Sequence, residues 1–220
     1  MTRGWMLPVL LTAVVSATAA EPDEKRTPLP LGERVPDFTL PDGAGRPRQL
    51  RDLAEGKLAV LLFTGGSAPG ENLSDAAIKL EPLGSVLVMI VTAARRFPAL
   101  YDGGGAVTRR FTTRPPTAFL IDGDGILRGF TDASFPDAVV SLVEQWTKGR
   151  RAFLSACIRC HEDESYPRLK ALHGIGNRLT KEQILERMFP IPLGQEHTSI
   201  RSHVFRRGEV DALLRYVAGL

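Results

Sequence analysis

The chain is poor in the side chains that do most covalent and acid–base chemistry. Its 220 residues include two cysteines and four histidines, and no histidine precedes His161. A dense disulfide framework is therefore excluded, as is a four-cysteine zinc site. Imidazole acid–base catalysis has no residue to use before His161. Aromatics make up only 7% of the chain. No apolar run after the first twenty residues is long enough to span a bilayer. An excess of one charge is missing too: 28 Lys/Arg against 25 Asp/Glu give +3 and a pI near 9.1, which makes no case for nucleic-acid binding. What remains, 43% hydrophobic and 24% charged residues, is the composition of an ordinary globular protein of one or two domains.

Residues 1–20 read as a secretory signal peptide. Arg3 supplies the positive start, Met6–Val15 is a short apolar run, and Ala17-Thr18-Ala19 suits a small-residue cleavage site. An uncleaved N-terminal anchor is the alternative. No cysteine follows the cleavage region to take a lipid, so no stable membrane anchor is expected once the signal is removed. Export implies a periplasmic location. Residues 21–30, charged and proline-containing, read as a flexible leader.

Both cysteines stand in Cys157-Ile158-Arg159-Cys160-His161. This is the C-x-x-C-H pattern of covalent haem attachment. Two thiols at that spacing add to the two vinyl groups of one porphyrin, and the adjacent histidine reaches the iron. Cys157 and Cys160 are the expected thioether residues, and His161 is the expected proximal ligand. The cofactor expected is one covalent haem c with its iron. The competing readings are a disulfide, a redox dithiol or half of a zinc site. Zinc would want two further ligands at similar spacing, and a redox dithiol belongs between a strand and a helix start.

Residues 31–148 alternate strand and helix patterns. Lys57–Phe63, Ser85–Thr92 and Thr117–Asp122 are apolar runs of buried-strand length. Leu73–Leu83, Val107–Phe111 and Phe135–Trp146 carry helical spacing, and Leu50–Leu53 makes a short helical turn. Trp146 fits the apolar side of the closing helix, and Arg109-Arg110 reads as solvated charge. Tyr101-Asp102-Gly103-Gly104-Gly105 reads as a flexible loop, since it lacks the lysine and spacing of a phosphate loop. Strands alternating with helices mean α/β.

The segments Val35-Pro36-Asp37-Phe38-Thr39-Leu40-Pro41-Asp42-Gly43, Leu58–Phe63 and Arg114-Pro115-Pro116-Thr117-Ala118-Phe119-Leu120-Ile121-Asp122 resemble the thioredoxin-like fold, in its thiol–disulfide oxidoreductase and peroxiredoxin branch. The resemblance places Pro116 at the family's cis-proline position. It also marks a departure. Ala68-Pro69-Gly70-Glu71 stands where the redox C-x-x-C should follow the first buried strand. Thr64-Gly65-Gly66-Ser67 puts a serine where a peroxidatic thiol would be. A hydroxyl does not replace a thiolate without strong activation, so neither thiol oxidoreductase nor thiol peroxidase activity is expected. These residues are expected to form a turn and a helix N-terminus.

Residues 149–220 carry the haem motif. Gly149, Phe153 and Cys157 recur every four residues, on one helix face. Thr180–Met188 reads as a helix with Thr180 as N-cap, and Glu209–Leu220 as another. This glycine–aromatic–cysteine pattern, Leu179 after Gly176, and Tyr216 in the last helix resemble small class I c-type cytochromes. The resemblance implies an all-α domain in which the glycine lets the C-terminal helix cross closely. It also implies a sixth iron ligand from the loop before the last helix. By position that is His203, with Met188 and His197 as alternatives and an open or water-bound iron as a further possibility. His173 reads as a surface residue. Over residues 149–220 there are 12 Lys/Arg against 8 Asp/Glu. That surplus either steers an acidic redox partner protein or is simply a solvated surface.

The expectation is a periplasmic single-haem cytochrome that transfers electrons, fronted by a redox-inactive thioredoxin-like docking or scaffold module. Two alternatives stay open. One is a haem peroxidase or small-molecule reductase. The other is a haem sensor or assembly factor that binds a client through the thioredoxin-like domain.

Overall fold

The computed structural model describes residues 29–54, 56–65, 72–92, 99–112, 114–161, 172, 174–188, 205 and 208–220, and for 72–74, 159 and 160 the backbone alone. The expected signal (1–20) and the expected leader (21–30) up to residue 28 therefore lie outside the described residues. At the centre is β3 (Leu58–Phe63), whose last five residues are fully enclosed. It pairs parallel with β4 (Ser85–Val91) and antiparallel with β6 (Thr117–Ile121). A short β5 (Leu100–Tyr101) flanks β4, and β7 (Leu127–Asp132) flanks β6, giving the order β5-β4-β3-β6-β7. β3 and β4 run parallel because a crossover, α2 (Asn72–Leu80), connects them. β6 and β7 run antiparallel because Asp122 turns the chain. Its carboxylate accepts the Asp124 and Ile126 amides, and Gly125 takes φ 78°.

Alternation along the strands builds two cores. Leu61, Phe63, Phe119 and Ile121 face one way, with Phe38, Ile90, Phe111, Leu127 and Phe130. Val60, Leu62, Ala118 and Leu120 face the other, against Ala76 and Leu80 of α2 and Val139, Val140 and Val143 of the long helix α4 (Pro136–Ala156). Before the sheet, β1 (Thr39–Pro41) and β2 (Pro47–Gln49) form a hairpin that leads into α1 (Leu50–Ala54). Asp42 closes it by accepting the Ala44 and Arg46 amides. The Arg46 amide bond is the largest cause holding its carboxyl below the ordinary aspartate value.

Two local expectations change. The glycine-rich stretch after Tyr101 is not a loose loop. Asp102, 4% exposed, accepts both the amide and the hydroxyl of Thr108 and so caps α3 (Ala106–Phe111). The second change is in α4. Separate helices were expected on either side of 148/149, yet one helix runs from Pro136 to Ala156. The Gly149 backbone stays helical because its bare Cα is needed for a crossing helix, not for a turn.

That crossing helix is α7 (Glu209–Ala218). A β-carbon on Gly149 would fall on the Ala212 carbonyl and 2.7 Å from Tyr216 Cβ. Around the crossing lies a third core: Ala152, Phe153, Ala156 and Cys157 from the end of α4, Ile184 and Met188 from α6 (Lys181–Met188), and Leu213, Leu214, Tyr216 and Val217 from α7. Thr180 begins α6 as expected. Its hydroxyl accepts the Gln183 amide while the Gln183 side chain accepts the Thr180 amide, a reciprocal capping box. The chain end is tied to the sheet. Arg128 of β7 pairs with Asp122 at 2.7 Å and donates to the Gly219 carbonyl at 2.8 Å, and Asn177 donates to the Leu31 carbonyl at 2.7 Å.

Candidate functional site

Two places in this fold bear on function. The first is the end of β3, where the chain leaves the sheet through Thr64 and Gly65. Thr64 is buried, and its amide donates to Ile90. Gly65, at φ 63°, lies against Pro115, with 3.2 Å from its would-be β-carbon to Pro115 Cβ. The Pro115–Pro116 bond is cis, at the residue the sequence singled out. Beneath it, Thr112 and Thr117 share a hydrogen bond at 3.1 Å, and Thr117 donates to the Arg114 carbonyl. The floor is thus polar and satisfied. Ser67 and Ala68–Glu71 lie outside the described residues, and neither of the chain's cysteines is in this part of the sequence.

The second place is the end of α4. Cys157 follows its last turn, 6% exposed, with its amide bonded to the Phe153 carbonyl. The next turn, α5 (Ile158–His161), carries the backbone of Cys160 and the half-buried His161. The His161 ring stands 6.2 Å from the Phe153 ring, centroid to centroid. Met188 ends α6 and is 9% exposed within the same core as Cys157. So the described residues put Cys157 and Met188 in one buried core, with His161 against Phe153 of that core. His197, His203 and His173 lie outside them, as does the side chain of Cys160. Among the described residues no group of three or more His, Cys, Asp or Glu side chains is placed to hold a metal ion. No described helix is long and apolar enough to cross a membrane.

The sequence reading missed how the aromatics of α4 and α7 join this place. Phe153 contacts Tyr216 at 5.3 Å, and Tyr216 contacts Trp146 at 5.5 Å. Trp146 in turn lines a groove of about 900 Å³ between β7, α4 and α7. Helical spacing alone signals that 146, 149 and 153 lie near one face, but not that Tyr216 inserts between the rings.

No protein-family model matches the chain, and no curated protein does. Solved structures with a similar backbone include a peroxidoxin from Mycobacterium tuberculosis, 22% identical over 53% of this chain and 97% of that one, with a TM-score of 0.44. A thiol:disulfide interchange protein from Bacteroides is 16% identical over 54% and 91%, with a TM-score of 0.45. The exposed lipoprotein thioredoxin of Streptococcus pneumoniae is 21% identical over 50% and 99%, with a TM-score of 0.41. About half of the chain is an α/β fold with a five-stranded mixed sheet and a cis Pro115–Pro116 bond, similar in backbone to these structures, and C-terminal helices follow it.

Proposed function

We propose that this is an exported, periplasmic electron-transfer protein. Its C-terminal helices would hold one covalent haem c, and its thiol-less thioredoxin-like body would act as a docking or scaffold module for a redox partner. The observation that carries the reading is the crossing of α4 and α7. Gly149 lies at the closest approach, Phe153 and Tyr216 fill it, and Cys157 sits in the same buried core. A spacing of glycine, aromatic and cysteine that is merely helical has no need of all three in one contact.

The residues fit the group. Cys157 meets an apolar core, as a thioether to a porphyrin edge requires, and His161 follows one turn on. Cys157 and Cys160 would carry the porphyrin, and His161 would bind the iron from the proximal side. The sequence count favours His203 as distal ligand, with His197 also in range. The burial of Met188 in the same core as Cys157 is the specific observation that favours Met188 instead. When bound, the haem would supply one-electron iron chemistry, at a higher potential with a thioether ligand than with a second imidazole.

The test is the mass of the protein exported from a host that matures c-type cytochromes. The expected gain is one haem, with covalent attachment impaired in Cys157→Ala and Cys160→Ala. Two unmodified thiols, or a bond between the two sulfurs, would end the proposal. Ferric spectra of Met188→Ala and His203→Ala then assign the sixth ligand, because only the true ligand's loss abolishes the low-spin spectrum or its methionine–iron band.

A further inference from the structure

The described rings divide sharply by chemistry. The five that pack inside the body core, Phe38, Phe63, Phe111, Phe119 and Phe130, are all phenylalanine and resist oxidation. The rings between α4 and α7 are different. Trp146, Tyr216, Phe153 and His161 follow one another at centroid spacings of 5.5, 5.3 and 6.2 Å, within the range of direct aromatic contact. The sequence of rings starts at a groove wall and ends at the expected proximal ligand.

We propose that Trp146, Tyr216 and Phe153 form a one-electron relay between the groove and the iron centre at His161, with Trp146 as its outer terminus; this rests on the haem reading above. Electron tunnelling falls off exponentially with the gap it crosses, and rings in contact keep every gap short. Tryptophan is the most readily oxidised of the neutral ring side chains. Among the described residues the buried Nε1 of Trp146 has no hydrogen-bond acceptor. An indole that loses an electron there keeps its proton, so the positive hole stays mobile. No bond forms or breaks. One electron would leave the indole for an external one-electron oxidant at the groove, and one would return to it by tunnelling through Tyr216 and Phe153, neither of which need be oxidised itself, from the iron that His161 would hold and whose ferrous-to-ferric change would supply it.

Trp5 is the only other tryptophan in the chain and lies in the expected signal peptide; a Trp5→Phe background covers any uncleaved chain, so every indole signal is that of Trp146. The experiment is transient absorption on haem-loaded, reduced protein with photogenerated tris(bipyridine)ruthenium(III) as the oxidant. The expected result is an indole radical cation whose decay coincides with a fast oxidation phase at the iron. Trp146→Phe loses both signals, while Phe153→Leu and Tyr216→Leu prolong the radical. A fast phase unchanged in Trp146→Phe, or a radical lifetime unchanged in both leucine variants, overturns the relay. Mass and thermal midpoints of the same samples keep the two proposals apart. Absence of haem sinks the haem reading. The Trp146–Tyr216 step is then still read: the indole radical cation regains its electron from Tyr216, whose phenol O–H breaks and gives its proton to water, leaving a tyrosyl radical expected in the parent protein and lost in Tyr216→Phe.

Discussion

Gly149 is the residue on which the C-terminal core turns. In an exposed helix, replacing glycine by alanine stabilises by about 1 kcal/mol. Here the added methyl meets the backbone of Ala212, which cannot rotate away as a side chain would. Gly149→Ala is therefore expected to destabilise by about 1–3 kcal/mol, the cost of overpacking, and a lower denaturant midpoint is the measurement. Glu182 offers a finer test. Its carboxyl sits in the first turn of α6, where its own backbone amide, then the Thr180 hydroxyl, holds it below the ordinary glutamate value. A depressed value in the folded state means that the ionised form favours folding. That contribution is present above the ordinary glutamate value and fades as pH falls through the lower, folded one. NMR titration of Glu182 in the protein and in a peptide of the same segment should give a lower midpoint in the protein. At this scale the C-x-x-C-H pattern itself was visible, because Cys157, Cys160 and His161 are neighbours in sequence. The ring contacts were not. Residues 146, 153, 161 and 216 meet only after α7 packs on α4, and no local pattern announces that Tyr216 enters between Trp146 and Phe153.

The elements of the body could be read from the chain because burial leaves a strong pattern. Leu58–Phe63 and Thr117–Ile121 are apolar runs bounded by turn residues, and both are strands inside two faces of packed side chains. Elements held by a few bonds were harder. β5 has two residues, too few for any alternation, and the Asp102 carboxylate is held by two bonds from Thr108, six residues on. The continuity of α4 was hidden for a related reason: its Gly149 reads alike whether it ends a helix or admits another. A direct check is Lys148→Pro. Proline there removes a helical hydrogen bond and clashes with the preceding turn, at a cost of about 3 kcal/mol or more. Because Val143 belongs to the body core and Ala152 to the C-terminal core, the loss should lower the thermal midpoint of both. Circular dichroism reads the whole fold, and Trp146 emission reads the junction.

For the molecule as a whole, that shared helix and the tethered chain end make body and tail one mechanical unit. Arg128 holds Asp122 within the sheet and the Gly219 carbonyl at the end of α7, both half-enclosed from solvent. Arg128→Ala leaves one oxygen of the Asp122 carboxylate and the Gly219 carbonyl without the Arg128 donor, which typically costs about 1–3 kcal/mol. A single cooperative unfolding transition is expected in the parent protein, shifted to a lower midpoint in the variant. Two separate transitions in the parent would show that the halves melt independently. The enclosure of Cys157 has a further consequence, for timing. Its sulfur lies in a core closed by α7, a helix that comes later in the chain. Any large group joined to that sulfur would have to be joined before α7 docks, so chemistry there would precede closure of this core.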